Sequence, residues 1–142
     1  ISTPLVIHWP KGISSPGEWR RSPGHLIDFM ATCVDVGQAE YPQKHDGNTI
    51  HPMEGVSLTS AFSEDTVTRE AIYFEHEGNR AVRRGSWKLV AKGRESAWEL
   101  YNIEHDRSET NNLAEEQPEM VQELANLWQQ WAERANVLPW PS

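Results

Sequence analysis

The chain has 142 residues, and its 13 Lys and Arg against 21 Asp and Glu give a formal net charge of −8. A chain of this length is one domain or part of a larger one, and its acidity excludes the basic face that sequence-independent nucleic-acid binding requires. The one cysteine excludes an intrachain disulfide, and no run approaches the roughly 20 apolar residues of a membrane-spanning helix. We therefore expect neither nucleic acid nor a membrane among the partners.

The first predicted element is a strand at Thr3–Pro10, a short run in which apolar and polar residues do not alternate. Such a continuous run is typical of a strand buried on both faces of a parallel sheet. His8 within it is then expected to be a core histidine with satisfied hydrogen bonds.

A helix is predicted over His25–Val36, with Ser22 as its cap and Pro23 at its first position. Gly37 is expected to adopt the left-handed conformation after its last turn. The predicted core stripe of this helix has three- and four-residue spacing and consists of Leu26, Ile27, Met30, Cys33 and Val34. On this stripe the thiol of Cys33 would be packed rather than reactive.

The residues from 38 to 66 show little periodicity, and at most one short helix or strand is expected there. An antiparallel meander follows, because glycine-containing turns separate four short strand-like runs. These runs are 71–76, 80–83, 87–91 and 97–101.

The last predicted helix is Pro118–Ala135, in which Pro118 suits the first position and Glu119 suits the positive end of the helix dipole. Its apolar face, expected to pack on the meander, consists of Val121, Leu124, Trp128, Trp131 and Ala135. We assign the tryptophans on the strands and this helix to the core rather than to carbohydrate stacking. Asp106 and Glu109 are expected to brace the turn before Asn112.

These elements do not make a complete parallel sheet, because a strand buried on both faces needs neighbours on both edges. The chain also begins at Ile1 without a Met or a signal peptide. We therefore expect a fragment of a larger α/β protein. Residues 1–66 would be the edge of its large catalytic domain, with its last strand and one helix, and residues 67–142 a small C-terminal domain.

A set of ordered motifs resembles the C-terminal part of the sulfatase family, in particular bacterial arylsulfatases. The set extends from Thr3 to Ala114 and covers nearly the whole chain. Its distinctive pieces are Leu5-Val6-Ile7-His8-Trp9-Pro10, Phe74-Glu75-His76-Glu77-Gly78-Asn79-Arg80, Gly85-Ser86-Trp87-Lys88-Leu89 and Asp106-Arg107-Ser108-Glu109-Thr110-Asn111-Asn112-Leu113. The resemblance implies an α/β enzyme of the alkaline phosphatase superfamily, whose small C-terminal domain packs an antiparallel sheet on a long helix.

The resemblance also implies sulfate ester hydrolysis, with a formylglycine nucleophile and a calcium ion in the parent enzyme. The family makes formylglycine within a Cys/Ser-x-Pro-x-Arg motif. Cys33 is not followed by that proline and arginine, and Ser14-Ser15-Pro16-Gly17-Glu18 ends in an acid. We predict that this chain contributes no catalytic residue and no metal ligand, and that it is inactive alone.

The candidate substrate-binding residues are His76, Asn79 and Arg80, which place an imidazole, an amide and a guanidinium on one tight turn. Such groups suit an anionic or polar ligand, and in the family this hairpin lies towards the cleft. The alternative is a turn that only joins two strands. Likewise, the basic cluster of Arg80, Arg83, Arg84 and Lys88 could steer an anionic substrate or form a solvated hairpin face.

The expected partners are the remainder of the sulfatase chain and a sulfated small molecule or glycan, and the family suggests a periplasmic or secreted bacterial enzyme. Two alternatives stay open at this point. One is a related phosphodiesterase or phosphonate hydrolase, and the other is a non-catalytic interaction or carbohydrate-binding domain.

Overall fold

The computed structural model describes residues 2–140, which divide into two compact units between Arg69 and Glu70. The division lies three residues from the predicted boundary between 66 and 67. Assignment of the first unit to a catalytic domain stays a prediction. Within residues 2–140, no helix has the length and apolarity needed to cross a membrane.

The first unit contains helix α1 (Asp28–Val36), strands β1 (Lys44–His45) and β2 (Asn48–Thr49), and a one-turn 3-10 helix (Thr59–Phe62). The two strands form a small antiparallel hairpin. Its two turn residues, Asp46 and Gly47, both have positive φ, as a two-residue hairpin loop requires. The unit thus holds more short elements between 38 and 66 than the single one expected.

The predicted strand at Thr3–Pro10 is wrong for this structure. The segment is irregular and exposed along its whole length, and His8 is exposed with it rather than buried in a core. The physical reason is the lack of a partner, since the one ladder in the described part of the first unit is β1–β2. An apolar run suited to the middle of a parallel sheet cannot form a strand without neighbours.

Helix α1 begins three residues later than predicted, and Ser22 is not its cap. The Ser22 hydroxyl instead donates to the Asp65 carbonyl, while the Asp65 carboxylate accepts from the backbone N–H of Ser22. That backbone bond holds the pKa of Asp65 below its usual value. At the far end of α1, Gly37 has a φ of −78°, so the expected left-handed glycine is also wrong.

The apolar stripe predicted for α1 does not form its buried face. Its buried residues are Asp28 and Ala31, whereas Leu26 and Met30 are 74% and 58% exposed. Cys33 is exposed, so the predicted packed thiol is wrong. The buried face of the helix therefore consists of one carboxylate and one alanine.

The second unit opens with the predicted meander, whose strands pair antiparallel in sequence order. They are β3 (Ile72–His76), β4 (Asn79–Arg84), β5 (Trp87–Ala91) and β6 (Glu99–Asn102). Glycine occupies both two-residue loops, and Gly78 and Gly85 have φ values of 83° and 59°. These are the conformations that match the twist of a tight hairpin, so the meander is confirmed.

Helix α2 (Pro118–Arg134) packs its apolar face on the sheet, also as predicted. The core cluster, whose members are at most 2% exposed, consists of Val82, Leu89, Leu100, Leu124, Trp128 and Ala132. Trp128 is in this cluster, as predicted, and Trp87, Trp98 and Trp131 pack against it while staying partly buried. The helix ends one residue before Ala135, which is exposed, and Ala132 takes the expected place in the core.

A braced turn follows β6. The Asp106 carboxylate accepts from the backbone N–H groups of Thr110 and Asn111, each at 2.8 Å, and these bonds lower its pKa. Glu109 forms an ion pair with Lys88 of β5. The structure thus confirms that Asp106 and Glu109 hold this turn.

Candidate functional site

The β3–β4 hairpin places His76 and Asn79 opposite each other at its end. The turn between them is stabilised by a hydrogen bond in which the Glu75 carboxylate accepts from the Gly78 backbone N–H at 2.8 Å. The imidazole of His76 is exposed and makes no hydrogen bond among the described residues. Of the three candidate residues, His76 is therefore available to a ligand.

The amide of Asn79 joins the hairpin to the loop between β5 and β6. Its Nδ2 donates to the His76 carbonyl at 2.9 Å, and its Oδ1 accepts from the Gly93 backbone N–H at 3.0 Å. Both ends of the side chain are thus used within the fold. Asn79 fixes the distance between the hairpin and the loop.

The guanidinium of Arg80 holds the same loop. It donates to the backbone carbonyls of Gly93, Arg94 and Ser96, the first and last at 3.3 and 3.0 Å. Its Cζ lies 4.5 Å from the centroid of the Trp98 ring, a cation–π distance. Burial lowers the pKa of Arg80, and the charge of Glu95 opposes that shift.

A pocket lies beside Arg80, and we call it the tryptophan cleft. It has a volume of about 330 Å³ and is lined by Arg80, Trp98, Ala125, Asn126, Trp128, Gln129, Leu138 and Trp140. The Arg80 Cζ lies 6.0 and 5.9 Å from the ring centroids of Trp128 and Trp140. The second guanidinium at the cleft, Arg94, lies 5.2 Å from the Trp140 ring.

Sequence reasoning missed the tryptophan cleft for two reasons. Trp140 follows Pro139, beyond the last predicted helix, where no periodic pattern points to a contact. Asn126 and Gln129 are three residues apart on α2, and their polarity predicts a solvent-exposed helix face. The helical spacing of these two amides and their proximity to Trp128 are the signals that could have indicated a shared rim.

The four residues of the predicted basic cluster do not form one patch. The strand pairing places Arg80 and Arg84 on the sheet face that packs on α2, and Arg83 and Lys88 on the opposite face. Arg84 pairs with Glu123 at 2.7 Å, and Lys88 pairs with Glu109. The expected solvated hairpin face is wrong as well, because the side chains of Arg84 and Lys88 are only 30% and 12% exposed.

A calcium site would need several oxygen ligands that converge on one point. No group of three or more His, Cys, Asp or Glu side chains converges in the part of the chain that the structure describes. The nearest candidate, His45 of β1, has its Nε2 3.5 Å from the carboxylate of the neighbouring Asp46. The described residues therefore do not fit a calcium site.

Comparisons with known proteins agree on one family. The family model described as N-sulphoglucosamine sulphohydrolase, C-terminal, matches residues 1–136. The chain is 25% identical over 123 residues to an uncharacterized sulfatase of Schizosaccharomyces pombe, covering 82% of this chain and 22% of the relative. It is 24% identical over 139 residues to an N-acetylgalactosamine-6-O-sulfatase of Bacteroides thetaiotaomicron, covering 87% and 26%. The chain thus spans about a quarter of the length of these curated relatives.

Two solved structures share the fold. One is Ps i-CgsB, with a TM-score of 0.69 and 23% identity, covering 87% of this chain and 27% of that chain. The other is BT4656 in complex with its substrate D-glucosamine-2-N,6-O-disulfate, with a TM-score of 0.69 and 22% identity, covering 94% and 28%. This likeness in fold confirms the mixed α/β class, with an antiparallel sheet packed on a long helix.

Proposed function

We propose that this chain, which belongs to the N-sulphoglucosamine sulphohydrolase C-terminal family, is the C-terminal segment of a sulfate ester hydrolase. The observation that carries the proposal is the family match over residues 1–136, nearly the whole chain. The named curated relatives are sulfatases. Neither the phosphodiesterase alternative nor the independent carbohydrate-binding domain receives support from the comparisons.

The exposed apolar surface of the first unit supports contact with the rest of the same polypeptide, the remainder of the α/β sulfatase domain. Many large apolar side chains of this unit are exposed, among them Val6 at 89%, Trp19 at 84% and Leu26 at 74%. Apolar surface concentrated in this way marks an interface. The buried Nε of Arg69 also has no acceptor among the described residues, and buried donors are normally paired.

The remainder of the enzyme would supply the reacting groups. A formylglycine and a calcium ion, when present there, provide the nucleophile and the charge that neutralises the sulfate. This chain would have a structural role and would form one wall of the active-site cleft of the complete enzyme. His76 would contact the sulfated sugar there. We place the enzyme in the periplasm or outside the cell, following its family.

The proposed activity is tested on the complete sulfatase that carries this chain. We expect it to hydrolyse an aryl sulfate or a sulfated glucosamine, and to hydrolyse the matching phosphodiester much more slowly. The 142-residue chain alone should give no turnover with calcium added. Faster phosphodiester cleavage would favour the alternative enzyme class, and turnover by the chain alone would refute the assignment of the reacting groups to the remainder.

Replacing His76 by alanine in the complete enzyme is expected to lower kcat/KM for a sulfated sugar about tenfold, the value of one hydrogen bond of about 1.4 kcal/mol. The change should not disturb the fold, because the imidazole is exposed and unbonded. His105→Ala is the matched control, since His105 is also exposed but lies on the turn after β6. Equal kcat/KM values for both variants across several sulfated substrates would rule out substrate contact by the hairpin.

A further inference from the structure

We propose that the tryptophan cleft binds a single sulfated sugar residue. The cleft combines aromatic walls, a cation that forms no ion pair among the described residues, and side-chain amide groups. The choice of a sulfated sugar rests on the proposed function. The binding itself is independent of hydrolysis.

The walls of the cleft suit the apolar face of a sugar ring. Trp98 and Trp140 are only partly buried, although both pack against the core of the second unit. Trp128 lies between them at the base, with ring centroids 5.9 Å from Trp98 and 6.1 Å from Trp140. Flat aromatic surfaces that remain accessible at a concave site are typical of small-molecule pockets.

The cation in the cleft has no carboxylate partner within ion-pair distance among the described residues. The hydrogen bonds of Arg80 go to three backbone carbonyls, which satisfy donors but do not cancel the charge. Two carboxylates lie nearby without forming an ion pair with Arg80 among the described residues: Glu75 is opposite it on the neighbouring strand and accepts from Gly78 N–H and from Trp140 Nε1 at 3.2 Å, and the charge of Glu95 also acts on it. A half-buried guanidinium of this kind favours an anionic group, because screening by water is reduced.

The helical rim supplies polar groups that are only half used. Oδ1 of Asn126 accepts from Gln122 at 2.9 Å, and Nε2 of Gln129 donates to Glu133 at 2.6 Å. Each amide can make more bonds than this. Among the described residues, the amide nitrogen of Asn126 makes no hydrogen bond as a donor and the amide oxygen of Gln129 none as an acceptor, and these two groups together match the hydroxyl groups of a sugar.

The size of the cleft limits the ligand. Its volume of about 330 Å³ lies at the lower end of the range of roughly 300–1,000 Å³ for small-molecule sites. It fits one sugar residue rather than a longer oligosaccharide. The sulfate would lie towards Arg80, and the sugar hydroxyls towards Asn126 and Gln129.

The test is equilibrium binding of a sugar to the 142-residue chain, with tryptophan fluorescence as the readout. D-Glucosamine 6-sulfate should give a saturable change, and D-glucosamine should bind at least tenfold more weakly. The double variant N126A/Q129A should weaken binding of the sulfated sugar at least tenfold, since it removes two hydrogen bonds from exposed positions. The control is Gln130→Ala on the same helix, whose side chain is exposed and does not line the cleft.

Three outcomes would overturn the proposal: no saturable change, equal affinity for the two sugars, or equal affinity of the double variant and the control. Far-ultraviolet circular dichroism of each variant verifies that the fold is intact. The result is separable from the proposed function, because hydrolysis is measured on the complete enzyme and binding on this chain. Saturable binding without hydrolysis would support this site and refute that function.

Discussion

Replacing Trp128 by alanine is expected to lower the free energy of unfolding of the second unit by about 3–5 kcal/mol, the usual cost of removing a large aromatic side chain from a core. Trp128 is 2% exposed and contacts the rings of Trp98, Trp131 and Trp140. Its Nε1 donates to the Phe74 carbonyl at 3.0 Å. The substitution therefore leaves a cavity and removes the hydrogen bond to the Phe74 carbonyl.

The measurement should report on the second unit alone, because a chain of two units need not unfold in one step. Hydrogen exchange of the β4 and β5 backbone amides does so, since slow exchange there requires opening of this sheet. Trp19→Ala is the control, because Trp19 is 84% exposed and surface substitutions change stability by about 0.5 kcal/mol or less. Equal exchange rates in the two variants would contradict the role of Trp128 as the centre of the core.

The second unit could be predicted closely because its signals are local. The hairpin glycines fix the turns, and the turns fix the register that places Val82, Leu89 and Leu100 on one face. The four-residue spacing of Leu124 and Trp128 then defines the face of α2 that covers them. Neighbours in sequence set each of these features.

The first unit could not be predicted in the same way. Its apolar residues were assigned to a core, yet Val6, Leu26 and Met30 are exposed. Hydrophobic periodicity indicates that the apolar face of a helix or strand will be buried, but it does not identify the element that packs on that face. In α1 the buried face is instead defined by Asp28, and a carboxylate in a helix gives no sign in the sequence that a cation 41 residues later will neutralise it.

In the turn of the β3–β4 hairpin, too, the sequence does not reveal the partners of the side chains. The sequence shows that Asn79 and Arg80 carry donors, and on that basis both were predicted to contact a substrate. It does not show that the acceptors are backbone atoms of residues 93–96. Of the three, His76 alone keeps its side chain outside these bonds, so the contact we propose with the substrate of the complete enzyme rests on the imidazole, whereas Arg80 belongs to the tryptophan cleft.

Replacing Asp28 by alanine is expected to destabilise the first unit by about 3–5 kcal/mol, because the change leaves a buried charge without its partner. The Asp28 side chain is 0% exposed and pairs with Arg69, whose side chain is 11% exposed. It also accepts from the backbone N–H groups of His25 at 2.6 Å and Val56 at 3.1 Å. Alanine removes all three bonds and keeps the cation.

Hydrogen exchange of the α1 backbone amides measures the effect, since α1 carries this carboxylate at its first position. The matched control is Asp35→Ala on the same helix, because Asp35 is exposed and its carboxylate accepts from the hydroxyls of Ser57 and Thr59. We expect a smaller increase in exchange for that variant. The double variant D28L/R69M should recover part of the loss, because buried ion pairs are often replaceable by apolar side chains of similar volume. If D28A and D35A exchange at the same rate, or if D28L/R69M is no more protected than D28A, the buried ion pair is not what orients α1.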